Sequence, residues 1–204
     1  MTKIDVIVFF TTVALLAILL NAWLNKPRAR SKKLGCTNYL KQVGLAFRIF
    51  ENDHDDTFPM GVSTNQGGSM EYLTGGEAFH HFQVMSNELS TPKILVCPTD
   101  NRKLALNFSV LSNANLSYFV GSLTNSANPQ AVLGGDRNLT TNGVPVKRGV
   151  LDLTTNTVVG WTGAIHQNSG NVLLGDGSVQ PTTSSRLRDL LRESGVATNR
   201  LAVP

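Results

Sequence analysis

The sequence predicts an α+β protein in which a long N-terminal helix, half transmembrane and half soluble, packs on a small, mostly antiparallel sheet. Three observations predict this class. The first two dozen residues are almost wholly apolar, the next two dozen carry an apolar stripe at helical spacing, and the rest breaks into short β-type segments. The chain divides accordingly into an anchor helix at 1–25, its soluble continuation at 26–56 and a globular α+β body at 57–204.

The apolar stretch covers residues 4–24, and Asp5 and Trp23 lie near its two ends. Twenty-one helical residues span about 31 Å, close to the hydrocarbon thickness of a bilayer. An indole favours the membrane interface. Because the stretch exceeds the apolar region of a signal peptide and no small-residue cleavage site follows, we expect a single-pass anchor in a lipid bilayer.

The charge is concentrated beside this anchor. The chain of 204 residues has a formal net charge of +4, with six basic residues and one acidic residue among the first 33. These give +5, so the remainder sums to −1. Since the body carries no excess of positive charge, the sequence disfavours nucleic acid as a partner.

The basic residues and the cysteines give opposite predictions for the side of the membrane on which the body lies. One lysine precedes the anchor and five basic residues follow it closely, which by the positive-inside rule places the body in the cytoplasm. Two cysteines in a polar, loop-rich body favour an oxidising compartment instead.

The soluble half of the helix is predicted over residues 31–51. Pro27, between the two halves, is a residue that kinks or interrupts helices. The apolar stripe recurs in steps of four and three residues, at Cys36, Leu40, Val43, Phe47 and Phe50. This spacing predicts one helix face buried against the body.

The body is predicted to consist of short elements. Helices are expected at 77–89 and 185–194, and a buried strand or extended segment at 94–97. Asp176 and Gly177 are expected to form the turn of a hairpin. The strands are predicted at 116–121, 131–133, 157–161, 171–174 and 178–180.

Several short motifs then point to a family. The chain contains His166, nine residues and Asp176-Gly177, and its other motifs are CTNYLKQVG at 36–44, DHDDTFP at 53–59, CPTD at 97–100, SY at 117–118 and GDRN at 135–138. In this combination and order the chain resembles the pilin-like proteins of type II secretion and type IV pilus systems, in particular a bacterial group with an H-x9-DG element. The resemblance covers nearly the whole chain.

The resemblance implies a pseudopilin, a structural subunit and not an enzyme. Its helix would lie in the inner membrane or a filament core, with the body on the periplasmic side, against the positive-inside count. The implied partners are the lipid bilayer, like subunits and other pilin-like assembly components. Neither a cofactor nor a metal is expected.

Asp5 falls where the prepilin motif has its glutamate, but no leader ending in Gly precedes Met1. Two interpretations follow: a start codon further upstream, or an unprocessed relative that remains a simple anchor. For Asp5 itself, one hypothesis is pairing with the N-terminal amine of a neighbouring subunit, since a carboxylate in lipid needs a partner. The other is a place among the headgroups with Lys3.

The motif residues Asp136, His166, Asp176 and Gly177 have a structural and a chemical interpretation. A His/Asp pair can bind a metal or transfer protons, so a periplasmic hydrolase or metal enzyme using His166, Asp136 and Asp176 is one alternative function. We favour structural roles, with Asp176 forming a turn and His166 bridging a loop. A standalone anchored protein that binds a ligand at the cell surface is the other alternative.

Cys36 and Cys97 are 61 positions apart. A periplasmic body favours a disulfide between them, and two buried thiols are the alternative. The acidic cluster Asp53, Asp55 and Asp56 resembles part of a calcium loop, but it lacks the Gly and distal Glu of an EF-hand. We therefore expect it to be a solvated helix end.

Overall fold

A long helix and two antiparallel sheets make up the fold. The computed structural model describes residues 2–204, except for the side chains of residues 21–30. The helices are α1 Lys3–Asn52, α2 Phe79–Gln83, α3 Ser86–Leu89 and α4 Ser184–Glu193, with 3-10 turns at Pro59–Gly61, Thr64–Gln66, Met70–Thr74, Pro92–Leu95, Phe108–Val110 and Asn113–Asn115. The strands are β1 Tyr118–Gly121, β2 Val132–Asp136, β3 Leu139–Thr141, β4 Val144–Pro145, β5 Gly149–Thr154, β6 Val159–Trp161, β7 Ser169–Leu174, β8 Val179–Thr183 and β9 Thr198–Val203.

Every strand pairing in the two sheets is antiparallel. Across the described residues, six strands form the larger sheet in the order β5-β9-β1-β2-β7-β8, and three form the smaller in the order β4-β3-β6. The predicted α+β class with a mostly antiparallel sheet is therefore confirmed. The predicted hairpin is also present, as the pair β7 and β8.

The first part of α1 is exposed and apolar. The segment Lys3–Leu20 has a mean hydropathy of 2.3 and none of it is buried. By length and composition this segment can cross a membrane. Trp23, expected at the interface, and the basic residues at 26–30 lie among the side chains that are not described. Because α1 is continuous, the helix is not interrupted at position 27.

The second half of α1 packs on one face of the larger sheet, as the apolar stripe predicted. All five stripe residues are buried, and they share a core with Tyr118, Val120, Leu133 and Leu173. Helix α4 packs on the opposite face, where Leu187 and Leu190 contact a second core. Alternate residues of β1 face the two cores, as the pleat of a strand requires.

Two predictions about the body are wrong, and the strands β3, β4, β5 and β9 were not predicted. Residues 94–97 are not a strand, because Pro92 opens a 3-10 turn there. The helix predicted over 77–89 is two short helices, α2 and α3. Of these strands, β5 and β9 form six residue pairs at one side of the larger sheet.

Close packing between β2 and β7 leaves no room for a side chain at Gly135. A Cβ atom there would lie 2.7 Å from the backbone oxygen of Asn171 and 2.8 Å from the ring of Phe119. We therefore expect Gly135→Ala to lower the free energy of unfolding by about 1–3 kcal/mol, as overpacking does. Denaturant unfolding of the full chain measures this loss. Gly163→Ala is the matched control, since its Cβ would meet only one atom at 3.6 Å, and an equal loss in both variants would contradict the prediction.

Candidate functional site

A disulfide joins the long helix to the body. Cys36 lies on the buried stripe of α1, and Cys97 lies just after the turn Pro92–Leu95. Their Cα atoms are 4.8 Å apart, the sulfur atoms are bonded, and both residues are fully buried. The predicted disulfide is therefore present, and it fixes the position of α1 on the sheet.

His166 lies against this disulfide. Its Nε2 atom is 3.5 Å from Cys97 Sγ, and its Nδ1 atom is 3.5 Å from Thr99 Oγ1. The Thr99 hydroxyl lies 3.0 Å from Cys97 Sγ and 3.4 Å from Cys36 Sγ. Imidazole, hydroxyl and both sulfur atoms therefore form one buried cluster.

Asp136 forms the other side of the cluster. One oxygen, Oδ2, accepts hydrogen bonds from the backbone N–H and the side-chain amide of Asn171, at 2.6 and 2.8 Å. The same oxygen lies 3.3 Å from His166 Nε2. The side-chain oxygen Oδ1 of Asn171 accepts in turn from the Thr37 hydroxyl of α1, at 3.1 Å. Asn171 therefore stabilises a fully buried carboxylate through two donated hydrogen bonds.

The loop before β7 carries His166, and side chains hold both of its ends. The Asn138 amide donates to the carbonyls of Thr162 and Ser169, at 2.9 and 3.2 Å. The Ser169 hydroxyl donates to the carbonyl of His166 itself. The loop is therefore held by Asn138, two residues after Asp136, and by Ser169.

A second network adjoins the disulfide through Ser117. The Ser117 hydroxyl accepts from the backbone N–H of Cys97 at 2.9 Å and donates to Asp100 at 2.8 Å. Arg137 makes a bidentate pair with Asp100, at 2.7 and 2.8 Å. Burial raises the pKa of Asp100, but the hydrogen bonds from Arg137 and Ser117 outweigh burial and hold this pKa below its usual value.

Tyr118 pairs with Asp136 across β1 and β2, so both side chains lie on the same face. Burial, followed by the negative charge of Asp136, raises the pKa of Tyr118 well above its usual value. The site also contains two buried polar atoms, the Tyr118 hydroxyl and Asp136 Oδ1, without a hydrogen bond among the described residues.

Asp176 and Gly177 lie at the other end of β7 from His166. The six residues of β7 separate them by about 20 Å. Asp176 accepts from the Ser178 N–H at 2.8 Å, and Gly177 has φ +82°, so together they form the hairpin turn. The turn expected at Asp176 is therefore present, whereas the alternative enzyme site is not assembled, because His166 meets Asp136 and not Asp176.

The DG turn also contacts the long helix. A Cβ atom on Gly44 of α1 would lie 3.0 Å from the backbone oxygen of Gly177, and one on Gly177 would lie 3.2 Å from the Arg48 side chain. Two glycines thus allow the turn and the helix to approach closely. The structural interpretation of the DG element rests on this contact.

Asp5 caps its own helix. Its carboxylate accepts from the Thr2 N–H at 2.7 Å, and the Thr2 hydroxyl accepts from the Asp5 N–H at 3.3 Å. Pairing of Asp5 with a neighbouring subunit stays a prediction. The acidic cluster at 53–56 follows the end of α1 and is exposed at Asp53, Asp55 and Asp56.

A second buried histidine lies away from the disulfide. His81 is fully buried, and its Nδ1 atom is 2.8 Å from the Ser69 hydroxyl. Burial, followed by the charge of neighbouring His80, lowers the pKa of His81 from the usual 6.5 to about 4. His80 itself contacts Glu77 at 3.4 Å and stacks on Tyr72.

The lowered pKa of His81 predicts that the protein loses stability in acid. Between pH 6.5 and 4 the unfolded chain takes up a proton that folded His81 does not, which removes about 3 kcal/mol of stability by pH 4. Denaturant unfolding at pH 7 and pH 4 measures this loss for the wild type and for His81→Gln. We expect the variant to lose less stability between the two pH values, by about that amount. An identical loss in both proteins would contradict the prediction.

Chemically, the cluster around the disulfide is an interior site. His166 and Asp136 have side chains exposed by 1% and 0%, so a solute reaches them only if the covering loop moves. Sequence reasoning singled out the two cysteines, His166 and Asp136, but it missed Asn171 and Thr99. Strand pairing brings Asn171 to Asp136, whereas Thr99 lies within the CPTD motif, two residues after Cys97.

Comparison of the chain with protein-family models, with curated proteins and with solved structures finds no match.

Proposed function

We propose that the chain is a pilin-like, membrane-anchored structural subunit, a pseudopilin of a type II secretion or type IV pilus-like assembly. The observation that carries the proposal is the form of α1. One half of this 50-residue helix is apolar and fully exposed, while the other half is buried on a sheet and joined to it by a disulfide. Such a helix can hold a body at a fixed position above a membrane.

The exposed surface of α1 supports assembly as well as anchoring. Beyond the membrane segment, Leu34, Leu45 and Ile49 lie on the face away from the sheet and are 57%, 59% and 41% exposed. Apolar surface of this kind is stabilised by lipid or by another protein. Like subunits packed along α1 would cover both stretches, with the inner membrane around the first.

The disulfide supports a periplasmic body, because disulfides persist in oxidising compartments. The interior position of His166 and Asp136 favours structural roles for the motif residues over those of a hydrolase. In this proposal the described cluster holds the helix, the loop before β7 and the strands β1 and β2 in one arrangement.

Photo-crosslinking in native membranes tests the proposal. A photoreactive phenylalanine analogue replaces Leu16 in the apolar half of α1, or the 93% exposed Leu106 of the body as the matched control. We expect protein–protein adducts, including dimers of this chain, from position 16 and far fewer from position 106. Adducts with lipid alone at position 16 would contradict assembly and would favour a standalone anchored protein.

Protease protection in spheroplasts tests the side of the membrane separately. We expect added protease to degrade the body of the wild-type chain in intact spheroplasts. A body that resists protease until the spheroplasts are lysed would overturn the periplasmic placement, whatever the crosslinking result.

A further inference from the structure

We propose that reduction of the Cys36–Cys97 disulfide converts the buried cluster into a site for one zinc-like divalent cation. The ligands are the two cysteine sulfur atoms, His166 and Asp136. This inference does not depend on the proposed function, because it rests only on the chemistry of these four side chains. The site shares His166 and Asp136 with the alternative metal enzyme, but the two cysteines take the place of Asp176.

Three of the four ligands, Cys36, Cys97 and His166, already lie close together, and Asp136 adjoins them through His166. The two sulfur atoms and a His166 ring nitrogen all lie within 4.8 Å of one another. In tetrahedral zinc sites, bond lengths of 2.0–2.3 Å place neighbouring ligand atoms about 3.3–3.7 Å apart. Cys97 Sγ is 3.5 Å from His166 Nε2, which is 3.3 Å from Asp136 Oδ2. The two sulfur atoms, now bonded, must separate.

The surroundings favour His166 as a ligand through Nε2. Nε2 faces Cys97 Sγ and Asp136 Oδ2, and Thr99 Oγ1 lies 3.5 Å from Nδ1 on the other side of the ring. Outer partners of this kind orient the histidines of zinc sites. Asp136 supplies a second observation, because its Oδ1 atom is buried without a partner in the part of the chain that the structure describes.

The charge of the cluster also fits. A dithiol reductant transfers two electrons and two protons to the disulfide, gives two thiols and is itself oxidised to a disulfide. Cation binding then releases both thiol protons, so the charge of a divalent ion cancels that of two thiolates. With His166 neutral, the buried cluster has the same formal charge before and after, and no new uncompensated charge is buried.

An ion reaches the cluster only if the segments that cover it move. Pro98 and Gln167, next to Cys97 and His166 in sequence, are exposed. Gln167 and Asn168 have φ of +53° and +62°, an unfavourable region for residues with a side chain, and belong to the loop that covers the histidine. Entry of an ion requires local opening of this loop, which breaks the hydrogen bonds of Asn138 and Ser169 that hold it.

Cobalt titration of the full chain in detergent micelles tests the proposal, with the disulfide either intact or reduced by a phosphine that is then removed. We expect the reduced protein to bind one Co²⁺ per chain with thiolate charge-transfer bands, zinc to displace it, and the oxidised protein to give neither signal. His166→Gln should weaken binding at least about tenfold, and Asp136→Asn by about 10–100-fold. His54→Gln, remote from the cluster, is the matched control.

Two further measurements show whether the proposed cation site is absent. Near-ultraviolet circular dichroism reports whether the reduced protein stays folded, and the rate of thiol alkylation reports whether zinc covers the cysteines. We expect zinc to slow alkylation at least about tenfold in the wild type but not in His166→Gln. Absence of bound ion, equal affinity in the wild type and His166→Gln, or reduced protein that unfolds instead of binding would each overturn the proposal.

Discussion

Replacement of both Cys36 and Cys97 by alanine is expected to lower the free energy of unfolding by about 4 kcal/mol. The disulfide closes a loop of 61 residues that contains the end of α1, both short helices and the turns between them. Without it the unfolded chain regains the freedom of that loop, and α1 loses its covalent attachment to the body. This loss is a large fraction of the stability of an ordinary domain.

Denaturant unfolding of the full chain in detergent, with and without a reductant, measures this effect. We expect reductant to destabilise the wild type by a similar amount and to leave the double variant unchanged, since the described residues contain no other cysteine. A wild-type protein that is indifferent to reductant, with both thiols free in mass mapping, would contradict the disulfide and the prediction together.

The long helix was predictable because its signals are local. An apolar run of membrane length and a stripe in steps of four and three specify a helix without reference to the rest of the chain. The hairpin at Asp176 and Gly177 was predictable for the same reason, since Asp-Gly is a local turn signal and Gly177 supplies the positive φ. Strands β5 and β9 were missed because their partners are distant in sequence, and Asn, Arg and Asp interrupt their apolar pattern.

The candidate site was only partly predictable for the same reason, because its residues are distant in sequence. Cys36, Cys97, Asp136 and His166 stood out as residue types with known chemistry, but their mutual arrangement depends on strand register. Tyr118 pairs with Asp136, and Gly135 pairs with Val172, which places Asn171 beside the carboxylate. A register is set by the pairing of whole strands, so a spacing along the chain cannot reveal it. The alternative enzyme site therefore combined His166 with both Asp136 and Asp176, of which only Asp136 lies beside it.

Asp136→Ala is expected to be the other strongly destabilising substitution, with a loss of about 3–5 kcal/mol. The carboxylate is fully buried and accepts from two donors of Asn171, while His166 lies 3.3 Å away. Alanine leaves the Asn171 amide groups and the imidazole buried with one partner fewer, so the desolvation cost of each is no longer offset. The loop before β7 and the strand β2 lose their common attachment.

Asp152→Ala provides the matched control, because Asp152 also makes a bidentate pair, with Arg200 at 2.8 and 3.0 Å, but both side chains are 45% exposed. We expect that surface pair to contribute less than about 1 kcal/mol. Denaturant unfolding of the wild type and the two variants therefore distinguishes the effect of burying a carboxylate from the effect of losing an ion pair. Equal losses at positions 136 and 152 would show that the buried carboxylate does not hold the cluster together, and the structural role assigned to it here would then be wrong.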